Sequence, residues 1–185
     1  MVLLVGITGA SGAKLAIILL QQLKKKEVET ELIISKEAEK IIEIETDFKL
    51  NDIIDLSTKY YEVNDLTAKP ASGSYKIDAM VIIPCSMKTL ASIANGYADN
   101  LITRAADVSI KEQRKLILVV RETPFSAIHL ENMLKLARIG VIIAPPIPSY
   151  YIKPKNINEL NKYFVGRLLD QIGGIESGIK RWGGY

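Results

Sequence analysis

The chain has 185 residues, 48% hydrophobic and 24% charged, which suits one globular domain with a substantial core and excludes disordered and fibrous classes. Lys and Arg number 24 against 21 Asp and Glu, a net charge of +3, and only Lys24-Lys25-Lys26 forms a run. That triplet falls where a helix is expected to end and where cations complement the helix dipole, so a solvated helix end is favoured over a nucleic-acid patch. A single cysteine, Cys85, and a single histidine, His129, give neither an intramolecular disulfide nor a zinc-type ligand cluster. No apolar run approaches the roughly 20 residues of a membrane helix, and the opening apolar stretch is too short for a signal-peptide core. The expectation is a cytoplasmic protein with no nucleic-acid or membrane partner, folding as one domain over residues 1–185.

Short apolar runs alternate with helical patterns, the mark of βα units on a parallel sheet. Residues 2–5 are predicted as the first strand, followed by a glycine turn and a helix over 11–25 with Leu15, Ile18, Leu19 and Leu23 at helical spacing. A strand over 30–34 and a helix over 36–44 come next, then a polar stretch with a short strand at 60–63. After a turn-rich loop over 68–76, residues 80–83 form a buried strand that Pro84 is expected to end. A helix over 100–113, strands over 115–120 and 139–143, a rigid proline loop over 144–148 and a last helix over 157–172 complete the chain. The predicted fold class is α/β, a three-layer αβα sandwich on a Rossmann or flavodoxin-like, mainly parallel sheet. In such a sheet the ligand lies outside the carboxyl ends of the strands, near the switch point.

Gly6-Ile7-Thr8-Gly9-Ala10-Ser11-Gly12 follows the first strand. Its glycines permit a tight turn, and the helix N-terminus behind it offers N–H groups to a phosphate; a plain strand-to-helix turn is the competing reading. The glycines fall at offsets zero, three and six instead of the zero, two and five of a dinucleotide fingerprint, and Ser35 stands where that fingerprint needs an acid. A single phosphate with a hydroxyl nearby, as in FMN, suits this pattern better than a dinucleotide. Pro84-Cys85-Ser86-Met87-Lys88-Thr89 opens a second helix N-terminus, with Ser86 a phosphate ligand or an ordinary N-cap and Cys85 a small buried residue. Arg104 and Lys111, seven apart, share a helix face, while Arg121-Glu122-Thr123-Pro124 places charge directly at a strand's carboxyl end. Tyr150-Tyr151 and Trp182 read as packing or as a subunit interface.

Together these residues resemble the flavin prenyltransferase family, the UbiX and Pad type, within the cysteine-decarboxylase-like flavoproteins. The resemblance is carried by Gly9-Ala10-Ser11-Gly12, Ser35-Lys36, Glu45-Thr46, Cys85-Ser86-Met87-Lys88-Thr89-Leu90-Ala91, Gly96-Tyr97-Ala98-Asp99-Asn100-Leu101, Arg104-Ala105-Ala106-Asp107-Val108, Arg121-Glu122-Thr123-Pro124 and Arg167-Leu168-Leu169-Asp170-Gln171. It spans nearly the whole chain and is weakest over residues 47–78. It implies transfer of a dimethylallyl group from dimethylallyl phosphate to N5 and C6 of reduced FMN, giving a prenylated flavin for a UbiD-type decarboxylase. It also implies FMN contacts from Gly9, Ala10, Ser11, Ser35, Ser86, Met87, Lys88, Thr89 and Arg121, and prenyl-phosphate contacts from Tyr151 and Arg167. Glu45, Arg104, Lys111 and Glu122 are implied as active-site charges, in a homo-oligomer, a dodecamer, with sites at subunit contacts and no metal.

Breaking an allylic carbon–oxygen bond releases a phosphate dianion and leaves cation character on carbon. Such a site needs fixed cations on the phosphate and an electron-rich face beside the allyl group. Lys111, Arg121 and Arg167 suit the first task, with Tyr151 donating its hydroxyl; the flavin ring, Tyr151 or Trp182 suits the second, and Glu122 or the retained phosphate can relay a proton. Two rivals stay open, beside an aromatic acid decarboxylase acting alone, which is disfavoured because nothing here stabilises a carbanion without a modified flavin. An FMN-dependent decarboxylase of the same fold lacks here its catalytic His and Asn-rich substrate motif, and a non-catalytic flavin carrier leaves the charges unexplained.

Overall fold

A computed structural model describes residues 1–184. Six parallel strands form one sheet in the order β3-β2-β1-β4-β5-β6: β1 Val2–Ile7, β2 Glu29–Ile34, β3 Lys59–Glu62, β4 Ala79–Cys85, β5 Lys115–Val120 and β6 Ile142–Ile143. The helices are α1 Ala13–Lys25, α2 Lys36–Glu45, α3 Leu50–Ile54, α4 Met87–Ala94, α5 Leu101–Lys111, α6 Ala127–Arg138 and α7 Ile157–Ile172. This is the expected three-layer αβα sandwich with the Rossmann strand order. The chain winds outward on one side through β1, β2 and β3, then on the other through β4, β5 and β6, so the order reverses between β1 and β4.

Alternation along the central strands builds two cores. Leu3, Val5 and Ile7 of β1 pack with Ile17, Leu20 and Leu23 of α1 and Val165, Leu168 and Leu169 of α7. Leu4, on the opposite face, joins Ile82, Leu90, Ile102 and Ala105 under α4 and α5. With both faces covered, β1, β4 and β5 read as nearly unbroken apolar runs. Each fully buried Leu or Ile contributes about 1.5–3 kcal/mol, which outweighs the weak helix propensity of the β-branched residues in α1.

Most boundaries fall within two residues of the sequence expectation, and three of the differences have a local physical reason. The first helix begins at Ala13, not at residue 11, because Gly12 takes a left-handed φ of 111° before the helix starts. Pro84 does not end its strand: β4 runs through it to Cys85, with a register shift against β5 between Ile82 and Cys85. A proline has no N–H for the ladder, and the irregularity is where that loss is tolerated. The sixth strand shrinks to Ile142–Ile143, since the amides of Gly140 and Val141 bond back to Ala137 and Leu136 and extend the last turn of α6. Lys24 and Lys25 lie in the last turn of α1, as read from the sequence, and Lys24 Nζ donates to the carbonyl of Asp55 at 2.7 Å. Among the described residues no helix is long and apolar enough to cross a membrane.

Cys85 is fully buried, and burial alone pushes its thiol far up from the ordinary range. Only a thiolate reacts, so native protein at pH 8 is expected to ignore a thiol-disulfide reagent such as dithionitrobenzoate. One equivalent of thiol is expected to appear after denaturant is added; rapid labelling of the native protein would show that the β4 end opens.

Candidate active site

The strand order reverses between β1 and β4, so the turns that follow these two strands lie side by side. Thr8, 3% exposed, ties them together. Its hydroxyl donates to the Pro84 carbonyl at 2.8 Å and accepts from the Ser86 amide at 2.9 Å. Ser86 then caps α4: its Oγ accepts from Thr89 N at 3.3 Å and sits 3.0 Å from Thr89 Oγ1. Ser35 caps α2 in the same way, accepting from Ala38 N, and Asn100 caps α5, accepting from Thr103 N. All three caps border one small cavity of about 140 Å³, with Thr8, Gly9, Lys88 and Ser92. A Cβ on Gly9 would fall 2.4 Å from Glu37 Cβ, so only glycine lets the first turn pass under α2.

The donor set of this cavity is hydroxyls, capping side chains and one lysine around the positive ends of three helices, the chemistry that holds a phosphate. Glu37 stands at its rim, its carboxyl held below the usual range mainly by its own backbone N–H, with Lys88 and Ser35 adding to the effect. Met87 packs against the α4 and α5 core behind the cap, and the Ala10 amide closes the glycine turn on Thr8 O at 2.8 Å.

The N-terminus of α1 has a different occupant. Glu45, the last residue of α2, reaches across with Oε2 to accept from Gly12 N at 2.8 Å and Ala13 N at 3.0 Å. The glycine turn was expected to present these N–H groups to a phosphate; instead the chain's own carboxylate satisfies them, and the phosphate-like donor set lies at Ser35 and Ser86. Beyond Glu45 opens a larger cavity of about 560 Å³, lined by Ser11, Glu45, Arg121, the segment 146–149, Tyr163 and Phe164. Ser11 and Gly9 belong to one turn, so the polar and the largely apolar cavity flank the same loop.

Arg121 follows β5 directly, and its amide bonds the Cys85 carbonyl at 3.2 Å. Glu122 folds onto its own loop, Oε1 accepting from Thr123 N at 3.0 Å. Tyr151 lies in a 3-10 turn, Tyr150–Ile152, its hydroxyl hydrogen-bonded to that of Tyr163 on the cavity wall and its ring edge-on to Trp182 with centroids 5.2 Å apart. Arg167 is one turn further along α7, with its guanidinium half exposed.

Seven predicted residues line neither cavity: Ala10, Met87, Glu122, Tyr151 and Arg167 adjoin residues that do, by sequence, helical turn or hydrogen bond, whereas Arg104 and Lys111 are held elsewhere within the chain. Arg104 donates to Ala71 O at 3.1 Å and to Asp107 at 2.7 Å. Lys111 ends α5 and pairs with Glu112 beside Gly73, at the edge of the sheet where β5 begins and not where it ends. A shared helix face was a correct reading of spacing, but the face runs away from the strand ends. His129 is structural, its Nδ1 accepting from Ser126 N in the capping box of α6. The sequence reading did not single out Thr8, Asn100, Thr103, Tyr163 or Phe164. Asn100-x-x-Thr103 is a legible capping pattern, and Tyr163 lies one helical turn before Arg167.

Known proteins share this sequence and this fold over nearly the whole chain. The Flavoprotein family model matches residues 1–168. Flavin prenyltransferase UbiX of Methanocaldococcus jannaschii is 54% identical over 183 residues, 99% of each chain. The crystal structure of AnUbiX (PadA1) in complex with FMN and dimethylallyl pyrophosphate is 46% identical and superposes with a TM-score of 0.97, covering 100% of this chain and 98% of that one. A dodecameric FMN-dependent UbiX-like decarboxylase from Escherichia coli O157:H7 is 49% identical with the same TM-score, each chain covered completely. The chain therefore belongs to the Flavoprotein family and, within it, to the flavin prenyltransferases of the UbiX type.

Proposed function

We propose that this protein is a flavin prenyltransferase that joins the dimethylallyl group of a prenyl phosphate to N5 and C6 of reduced FMN, without a metal. The observation that carries the reading is the pairing at one switch point of a phosphate-sized cavity, rich in hydroxyls and helix N-termini, with a larger cavity bearing Glu45, Arg121 and aromatic side chains. Reduced FMN supplies the electron-rich ring atoms to which the prenyl carbons attach. Ser35, Ser86, Lys88 and Thr89 hold its phosphate, and Gly9, Ala10, Ser11 and Met87 line the turn beneath it. Arg121 faces the larger cavity and counters charge that builds on the departing phosphate. Tyr151 and Arg167 bind that phosphate, and Glu45 and Glu122 move the protons: N5 and C6 each lose one, and a carbon of the former prenyl double bond gains one as the second bond closes the ring.

Arg104 and Lys111 act in this reading from another copy of the chain. The half-exposed apolar side chains Ile128, Leu130 and Leu134 of α6 support a homo-oligomer, and a dodecamer is the form of the E. coli relative. The proposed setting is the cytoplasm, the proposed unit a single domain over 1–185, and the recipient of the prenylated flavin a UbiD-type decarboxylase.

Anaerobic incubation with reduced FMN and dimethylallyl phosphate, or the pyrophosphate bound by the AnUbiX relative, is expected to yield a flavin heavier by one C5H8 unit. The E. coli relative's designation as a decarboxylase favours a second reading: unmodified FMN alongside carbon dioxide release from an acid substrate, without a partner protein, would establish it.

A further inference from the structure

The C-terminal segment after α7 folds back on that helix. A Cβ on Gly166 would lie 2.0 Å from Ile179 Cγ2, so the segment crosses α7 where the helix has no side chain. Four residues on, Asp170 takes Arg181 in a two-pronged grip, Nη1 to Oδ2 at 3.3 Å and Nη2 to Oδ1 at 3.0 Å. Its side chain is only 15% exposed, and Arg167 Nη1 stands 3.5 Å from the same carboxylate. A hydrogen bond from Ser177, then Arg181 and Arg167, hold the Asp170 carboxyl below its usual range. Trp182, next to Arg181, reaches Tyr151, whose hydroxyl bonds Tyr163. Tyr163, Arg167 and Asp170 follow each other at i, i+4 and i+7, one stripe of α7.

We infer that Asp170 is a positioning residue for the prenyl donor: by gripping Arg181 it straps the C-terminal segment across Gly166, seats Trp182 against Tyr151, and so holds Tyr151 and Arg167 in the arrangement that binds the donor phosphate. The inference deepens the prenyltransferase reading and rests on it. Asp170 itself touches no substrate. Its carboxylate faces two guanidinium groups, so the cluster keeps a net positive charge toward an incoming phosphate. A bidentate carboxylate grip restrains the angle of the strap as well as its distance.

Trp182 is the single tryptophan of the chain, so its fluorescence reports the strap without a label. Arg181→Gln removes the grip at a side chain that is 70% exposed, and Gly166→Ala wedges the segment away while favouring the helix. Asp170→Asn tests the same contact from its other side. All three are expected to increase acrylamide quenching of Trp182 and amide exchange over residues 174–184. KM for dimethylallyl phosphate is expected to rise on the order of tenfold, with kcat at saturating donor and FMN affinity kept, the signature of lost donor binding. Unchanged quenching in Arg181→Gln and Gly166→Ala would overturn the strap, and increased quenching with an unchanged KM would overturn its role in donor binding. Wild-type protein that neither binds nor transfers the prenyl donor would overturn the prenyltransferase reading instead; the Trp182 signal needs no donor and tells the two failures apart.

Discussion

The Glu45→Gln enzyme is expected to transfer the prenyl group about 10²–10⁴-fold more slowly than wild type while binding FMN normally, the usual range for losing a positioned proton acceptor. Glutamine keeps one of the two duties of Glu45. Glu45 Oε2 accepts from the amides of Gly12 and Ala13, and an amide oxygen can accept from both, so the start of α1 stays capped. What glutamine cannot do is take a proton in the cavity shared with Arg121 and Ser11. Glu45→Ala separates the two duties. It removes the acceptor of two N–H groups at the start of α1 and is expected to cost about 0.5–2 kcal/mol in urea unfolding, the range for losing a helix cap, a loss that Glu45→Gln is expected to avoid. Single-turnover conversion, read as the mass of the released flavin, gives the rates. Near wild-type transfer by Glu45→Gln would reduce Glu45 to a helix cap.

Glu45 also marks the limit of what the sequence disclosed. The glycine turn was legible as a turn at the carboxyl end of a strand, and its glycine spacing pointed away from a dinucleotide. Nothing in that turn revealed that a carboxylate 33 residues later would occupy its N–H groups, because the contact exists only once β2 and α2 have packed beside β1. The central strands were readable for the opposite reason: burial on both faces turns β1, β4 and β5 into nearly unbroken apolar runs, and these three fall within two residues of their expected bounds. The short helix α3 at Leu50–Ile54 escaped because five residues carry too few positions to show a period, whereas β6 was expected and only its start was misplaced. Lys111 was placed on the right face of the right helix, but spacing gives a side chain's angle around the axis and says nothing about which end of the sheet the helix end approaches.

Replacement of Thr8 by valine is expected to weaken FMN binding by on the order of 10–100-fold. The residue lies inside a motif that sequence reading recognised, but its partners are Pro84 and Ser86, 76 and 78 residues away. Valine has nearly the same shape and lacks the hydroxyl. The Pro84 carbonyl would keep a bond from Thr8 N at 3.3 Å, whereas the Ser86 amide would lose the acceptor 2.9 Å away. Leaving that amide unsatisfied is expected to cost about 1–3 kcal/mol of stability and to free the turn that carries the Ser86 cap. Thr30→Val is the control: Thr30, 1% exposed, donates to Val28 O near the start of β2, at the opposite end of the strands from the cavities. Both variants are expected to unfold at lower urea, but only Thr8→Val is expected to lose FMN affinity in a flavin-fluorescence titration. Equal FMN affinity in the two would make Thr8 an ordinary buried hydroxyl and would separate the Ser86 turn from the flavin phosphate.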